Sequence, residues 1–230
     1  VASKTPAVSY PRTLVVAEEN AEVAIVEEYA GHGALVPGAA GDGLYLCNPV
    51  TEIVTAKRSR VDHNKLQFEA RSAYHVASMH VELEEESSFI SHSTSIGSAI
   101  TRNDLACVMN GERAEATLNG LVITGGAQHV DNHTLLKHEK PNCASHELYK
   151  QVLDDKASGV FKGQIFVQKD AQKTDSKQTS KTLLLSDEAQ MNSMPALEIY
   201  ADDVKCTHGS TIGPVDEGAI FYLRSRGVSL

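Results

Sequence analysis

Short apolar runs, many of them alternating with polar residues, recur along this chain between turn-forming residues. Thr13–Val16, Ala24–Val26, Leu44–Leu46, Glu52–Thr55, Gly120–Thr124, Gly163–Gln168, Thr182–Leu185 and Leu197–Tyr200 are such runs, with β-branched residues over-represented. A period of two turns one strand face inward and the other to solvent. The alternation is clearest where Leu197, Ile199 and Ala201 interleave with Glu198, Tyr200 and Asp202. A helical period occurs only at the end, where Pro214 and Asp216 precede Glu217, Ala219, Ile220, Phe221 and Leu223, and Arg224, Arg226 and Gly227 follow. An acidic N-cap, a basic last turn and a closing glycine predict a helix over 216–226. The pattern thus divides the chain into a β region, 1–213, and the start of a helical region, 214–230.

Many short strands with irregular turns are the mark of a sandwich, a barrel or a solenoid. No strict repeat of 20–30 residues is visible, so a solenoid here would have degenerate rungs. The Asn-Gly hairpin signal is confined to Asn110-Gly111 and Asn119-Gly120. Scarce hairpin turns favour coils that wind onward over meanders that fold back.

The chain has 230 residues, enough for one large all-β domain or two small ones. Aromatics make up 5% and Trp is absent, so small branched and small polar residues must fill much of the interior. A net charge of −9 without a basic stripe argues against nucleic acid and anionic membrane as main partners. The run Glu82, Glu84, Glu85, Glu86 is read as solvated surface. The four cysteines, Cys47, Cys107, Cys143 and Cys206, form no C-x-x-C pair, which fits a reducing, cytosolic-type compartment. No apolar run is long enough to span a membrane, no signal peptide is expected, and an opening Val1 is the expectation for a processed or trimmed chain.

Three stretches could carry chemistry. His129, Asp131 and His133 share a strand face and are good zinc ligands, although a rise of about 3.3 Å per residue sets the two histidines about 13 Å apart. They are weak metal candidates, and structural hydrogen bonding is the alternative. The glycines from Gly31 to Gly43 lack the G-K-[ST] ending of a phosphate loop and are expected to form a surface loop. No G-x-S-x-G elbow is present. Finally, Val204, Cys206 and His208 share a face in a strand, with thiol and imidazole about 7 Å apart. Both are iron or cluster ligands by chemistry, and a buried Cys beside a structural His is the alternative.

Ala201-Asp202-Asp203-Val204-Lys205-Cys206-Thr207-His208-Gly209 and Ile220-Phe221-Tyr222-Leu223-Arg224-Ser225-Arg226-Gly227 resemble the SufB/SufD family of SUF iron–sulfur cluster assembly. So do Thr101-Arg102-Asn103-Asp104-Leu105, Gln128-His129-Val130-Asp131-Asn132-His133-Thr134, Ser145-His146-Glu147-Leu148-Tyr149-Lys150, Gly159-Val160-Phe161-Lys162-Gly163 and Ala171-Gln172-Lys173-Thr174-Asp175. The Asp-Asp-Val-Lys-Cys-Thr-His-Gly run is similar to the SufD branch rather than the SufB branch. Residues 1–77 resemble the family more loosely. Thr179-Ser180-Lys181-Thr182 and Ser193-Met194-Pro195 depart from its pattern.

The resemblance implies an all-β, right-handed parallel β-helix with a short C-terminal helix. It implies a non-catalytic scaffold that pairs with SufB, and with the ATPase SufC through C-terminal helices largely absent here. It implies a transient iron–sulfur cluster in the assembled complex, none bound stably by this chain, and His208, with Cys206, at the cluster-building interface. A homodimer through rungs near 201–213 is expected without SufB. The location implied is the cytoplasm, or the plastid stroma in a plant or alga. The alternative reading is a carbohydrate-active β-helix enzyme, which needs carboxylates, Arg or calcium in one groove; a zinc hydrolase on His129 and His133 is a third.

Overall fold

The computed structural model describes residues 6–31 and 44–229. The glycine-rich stretch expected to form a loop lies, apart from Gly31, outside them. The strands in chain order are β1 (Ala7–Ser9), β2 (Arg12–Ala17), β3 (Glu22–Ala30), β4 (Tyr45–Cys47), β5 (Val50–Thr55), β6 (Arg60–Phe68), β7 (Tyr74–Leu83) and β8 (Ser88–Ser95). They continue as β9 (Ile100–Met109), β10 (Glu115–Thr124), β11 (His129–His138), β12 (Ala144–Leu153), β13 (Ser158–Val167), β14 (Asp175–Leu184), β15 (Gln190–Ile199) and β16 (Lys205–Pro214). Helix α1 spans Glu217–Ser225.

Two sheets hold these strands. One runs β3-β6-β8-β10-β12-β14-β16; the other runs β1-β4-β7-β9-β11-β13-β15, with β2 and β5 joined beside β7. Their pairings are parallel. From β6 onward successive strands alternate between the sheets, so the chain winds onward as a β-solenoid of about six turns. Glu115 pairs with Ala144, Ala144 with Asp175 and Asp175 with Lys205, which are numbering offsets of 29, 31 and 30. This is the degenerate repeat that the sequence hides. The strands are longer than the apolar runs suggested, because polar residues also point inward.

One turn recurs before each strand of the first sheet from β3 to β14. Asn20, Arg58, Glu86, Arg113, Asn142 and Lys173 all adopt positive φ, between 56° and 63°. Each is followed by a small residue that packs inward: Ala21, Ser59, Ser87, Ala114, Cys143 and Thr174. Each of the six N–H groups donates to a carbonyl in the turn of the next rung, as Arg113 does to Pro141 and Asn142 to Gln172. The left-handed region bends the chain sharply without breaking the ladder, and few residues besides Gly, Asn and Asp visit it routinely. Neither Asn-Gly pair makes a hairpin. Asn119-Gly120 lies within β10, where a Cβ on Gly120 would stand 2.3 Å from the Tyr149 ring.

The acidic run is solvated, as expected, and it is also cross-linked between rungs. Glu85 pairs with Lys57 at 2.9 Å and with Arg113 at 2.8 Å, and Glu86 pairs with Arg113 at 2.9 Å.

The interior divides along the strands. Val61, Phe89, Ala116 and Leu118 meet Leu83, Met109, Leu136 and Ile165 beside the recurrent turn, forming the apolar core. Towards the opposite edge the buried residues are polar, among them Gln67, Ser95, Thr101, Asn132, Gln151 and Thr182. Small polar groups do fill much of the core, as the scarcity of aromatics predicted.

Helix α1 begins where expected. The Asp216 carboxylate accepts from the N–H groups of Gly218 at 2.8 Å and Ala219 at 3.3 Å. Gly227 adopts φ 86° just past the end.

The turn ladder yields a stability prediction. Lys173 is exposed at φ 61°. Lys173→Val should lower stability by about 1–2 kcal/mol, because a β-branched residue is strained in the left-handed region. Lys173→Gly should be neutral or stabilising. Urea denaturation of both variants distinguishes them, and equal effects would contradict the role assigned to this turn.

Candidate functional site

The solenoid ends on β15 and β16. In the described structure β16 pairs with β14 on one side only, which leaves a row of unpaired backbone groups along its other edge. Register sets Cys206 on Ser176, His208 on Gln178, Ser210 on Ser180 and Ile212 on Thr182. In β14 those four partners are buried and point inward. Their counterparts in β16 therefore occupy the same inward columns, but no rung covers them. Cys206 is half-buried and packs against the apolar core, while His208, Ser210 and Ile212 are exposed.

Cys206 and His208 thus share a face, as the period of two predicted. Burial pushes the Cys206 thiol up, so the resting group is a thiol and a metal would have to displace its proton. The same missing rung accounts for Ile199 at the end of β15, exposed although its alternation with Glu198 and Tyr200 placed it on the inward face. Met194 is 49% exposed and Ile212 42% exposed, which makes the end partly apolar. Helix α1 follows at once. None of its residues is buried, and Phe221 is 75% exposed.

Beneath His208 the column is polar and sealed. The register runs from His208 to Gln178, then Glu147, then Leu118. Gln178 Nε2 donates to Glu147 Oε2 at 2.7 Å. Glu147 is fully enclosed, and burial pushes its carboxyl up to about 7. A Cβ at Gly163 would stand 2.3 Å from Gln178 Nε2, so that glycine makes room for the amide. Sequence reasoning missed Glu147. Its neighbour Leu148 faces outward, inverting the apolar-in pattern that would have marked the strand's buried side.

The weaker metal candidates lie on the outer face of β11. His133 Nε2 is 2.9 Å from Asp131 Oδ1. His129 Nδ1 is turned instead to Ser158 Oγ at 2.7 Å. Arg102 stands among them, 2.5 Å from Asp131 Oδ2 and 2.9 Å from His133 Nδ1, and also holds Asp104 at 2.8 Å. A guanidinium in that position supplies the positive charge that a metal ion would.

Glu147 yields a pH prediction. Its folded value, near 7, lies above the ordinary 4.5, so the folded state binds the extra proton. Stability is then highest below about pH 4.5 as far as this group is concerned, and falls as pH rises towards 7. Glu147→Gln should abolish that slope and raise stability at pH 8 by about 3 kcal/mol. Unfolding curves at pH 5 and pH 8 test this; a variant as pH-dependent as the parent across that range would contradict it.

Comparison with known proteins gives a consistent set of relatives. The family model described as SUF system FeS cluster assembly, SufBD core domain, matches residues 1–230. The iron–sulfur cluster assembly protein SufD of Escherichia coli is 36% identical over 211 residues, covering 92% of this chain and 48% of that protein. The chloroplastic protein ABCI7 of Arabidopsis thaliana is 33% identical, covering 99% of this chain and 47% of its own length. The iron–sulfur cluster assembly protein SufB of Bacillus subtilis is 26% identical, covering 96% and 46%. The chain spans about half the length of the curated relatives it matches.

Proposed function

We infer the function from one premise: the chain belongs to the SufBD core family of SUF-system iron–sulfur cluster assembly proteins. We propose that it is a non-catalytic scaffold, of SufD type, that pairs with SufB through its terminal rung and carries no nucleotide hydrolysis of its own. SufC, the ATPase of the assembly, engages helical segments beyond α1. The cluster is transient cargo of the complex, and the working compartment is reducing, the cytoplasm or a plastid stroma. Residues 1–213 act as the solenoid scaffold and 214–230 lead into the helical region.

The observation that carries this reading is the uncovered rung. An unpaired strand edge, flanked by exposed Met194, Ile199 and Ile212, invites a further strand. In isolation a second copy fills that place, giving a homodimer. At the same edge His208 faces the partner, with Cys206 one step away on the same side. A neutral imidazole binds iron, and a thiolate is the usual cluster ligand. His208 is the primary residue of the proposed site and Cys206 its secondary one.

A carbohydrate-active solenoid is the second reading, favoured by the Arg102, Asp104, Asp131 and His133 cluster on the outer face of β9 and β11. There the carboxylates are already engaged by Arg102 and His133, which leaves neither free as a general acid. Membership of the SufBD family supports the assembly role instead.

His208→Ala tests the site. In the full-length protein it should leave folding and co-purification with SufB and SufC intact, since exposed substitutions usually cost no more than about 0.5 kcal/mol. Cluster assembly should fall, with loss of growth under iron limitation in a complementation assay. Growth equal to that of the parent would remove His208 from the site; failure to fold would make it structural.

A further inference from the structure

Near the other end of the solenoid, Cys47, Glu69 and His75 converge. Cys47 ends β4, Glu69 lies in the turn after β6, and His75 is the second residue of β7. Register places Cys47 directly opposite His75. A sulfur, a carboxylate oxygen and an imidazole nitrogen come within 4.8 Å of one another. All three residues are buried, at 6%, 4% and 0% exposed.

The surrounding residues hold these groups in place. Gln67 Nε2 at 3.1 Å and Ser98 Oγ at 3.2 Å both donate to Glu69 Oε2. Gln67 is itself fixed by Ser98 Oγ at 2.7 Å and Thr101 Oγ1 at 2.9 Å. Tyr29 packs the edge of its ring on His75, with centroids 4.8 Å apart. His75 Nδ1 lies 2.8 Å from Glu69 Oε2, which ties the imidazole to the carboxylate, while His75 Nε2 is buried without a hydrogen-bond partner. A fully enclosed ring nitrogen without a partner is rare, because buried polar groups are almost always hydrogen-bonded. A partner shared by all three donors has to accept electron pairs from nitrogen, sulfur and oxygen together.

We propose that Cys47, Glu69 and His75 bind one divalent first-row transition-metal ion of the zinc or ferrous type. Thiolate and imidazole donors select against calcium and magnesium, which take oxygen ligands. Three protein ligands leave the fourth tetrahedral position to water. Bond lengths of about 2.0–2.3 Å draw the donors somewhat closer than they stand, a change within reach of small side-chain rotations. Gln67 and Ser98 orient the ligating carboxylate, as outer partners of metal ligands do. The metal displaces the Cys47 proton on binding. Cys47 and His75 are 28 positions apart in sequence, so no ligand-spacing motif announces them. The site lies at the opposite end of the solenoid from β16 and is independent of His208.

Cobalt(II) and zinc(II) are the probes. The full-length protein carrying Cys206→Ser, which removes the most exposed of the four thiols, is stripped with chelator under anaerobic conditions and titrated with cobalt. One equivalent should bind, with a thiolate-to-cobalt charge-transfer band and tetrahedral d–d bands. Adding Cys47→Ser should abolish the charge-transfer band. Adding His75→Gln should weaken binding at least tenfold. Circular dichroism checks that each variant is folded; where one is not, X-ray absorption of the zinc-loaded Cys206→Ser protein decides, and must find a sulfur among nitrogen and oxygen neighbours. No cobalt uptake, a first shell without sulfur, or a charge-transfer band unchanged by Cys47→Ser would overturn the site.

Discussion

A residue held at positive φ in rung after rung, donating its N–H to the next turn, is what the remainder of this molecule depends on. Asn20, Arg58, Glu86, Arg113, Asn142 and Lys173 occupy this position in successive coils. Because each turn bonds to the one above, strands enter the sheet in the same register and side chains stack in columns about 4.8 Å apart. The small residue after each turn residue lets the bend close against the core. In-register stacking converts a weak sequence repeat into a strict spatial one. A one-residue slip in any rung would send its inward residues to the outer face.

The columns explain where chemistry can arise. Inside the stack a side chain is covered above and below by its neighbours, so buried polar groups must find partners along the column or across the interior. Gln178 and Glu147 do so, and Glu147 sits near neutrality because its enclosure disfavours the charged form. In the column Cys47, His75, Thr101, the imidazole of His75 turns one nitrogen to Glu69 and leaves Nε2 without a partner. At the terminal rung covering stops, and residues that would be core in any other coil, Cys206, His208 and Ile212, become surface. The exposed face of β16 is thus a consequence of where the stacking ends.

Much of this was legible in the sequence, and the limits have physical causes. Helix α1 was legible to its caps, because Asp216 and Gly227 each act through local backbone chemistry. The all-β class and the onward-winding coils were legible from short runs and scarce hairpin turns. The rung length was not, because its recurrent turn residue is Arg, Glu or Lys in four of the six turns, and none of those three looks like a turn signal. That Cys206 and His208 share a face of β16 was legible from the period of two. Glu147 was hidden because its strand carries polar residues inward and Leu148 outward. His129 was grouped with Asp131 and His133 by that same period, but its side chain is drawn to Ser158 in the adjacent rung, a contact that depends on register rather than spacing. The Cys47, Glu69 and His75 cluster comes from three separate elements, so only the fold assembles it.

The central claim is that the uncovered β16 edge is where SufB docks. Hydrogen–deuterium exchange on the full-length protein, with and without SufB, measures it directly. The account predicts that the backbone amides of 205–214 exchange fast alone and become protected when SufB binds, while those of β8 and β10 stay unchanged. Protection confined to the outer faces of the sheets, with 205–214 exchanging as before, would contradict it.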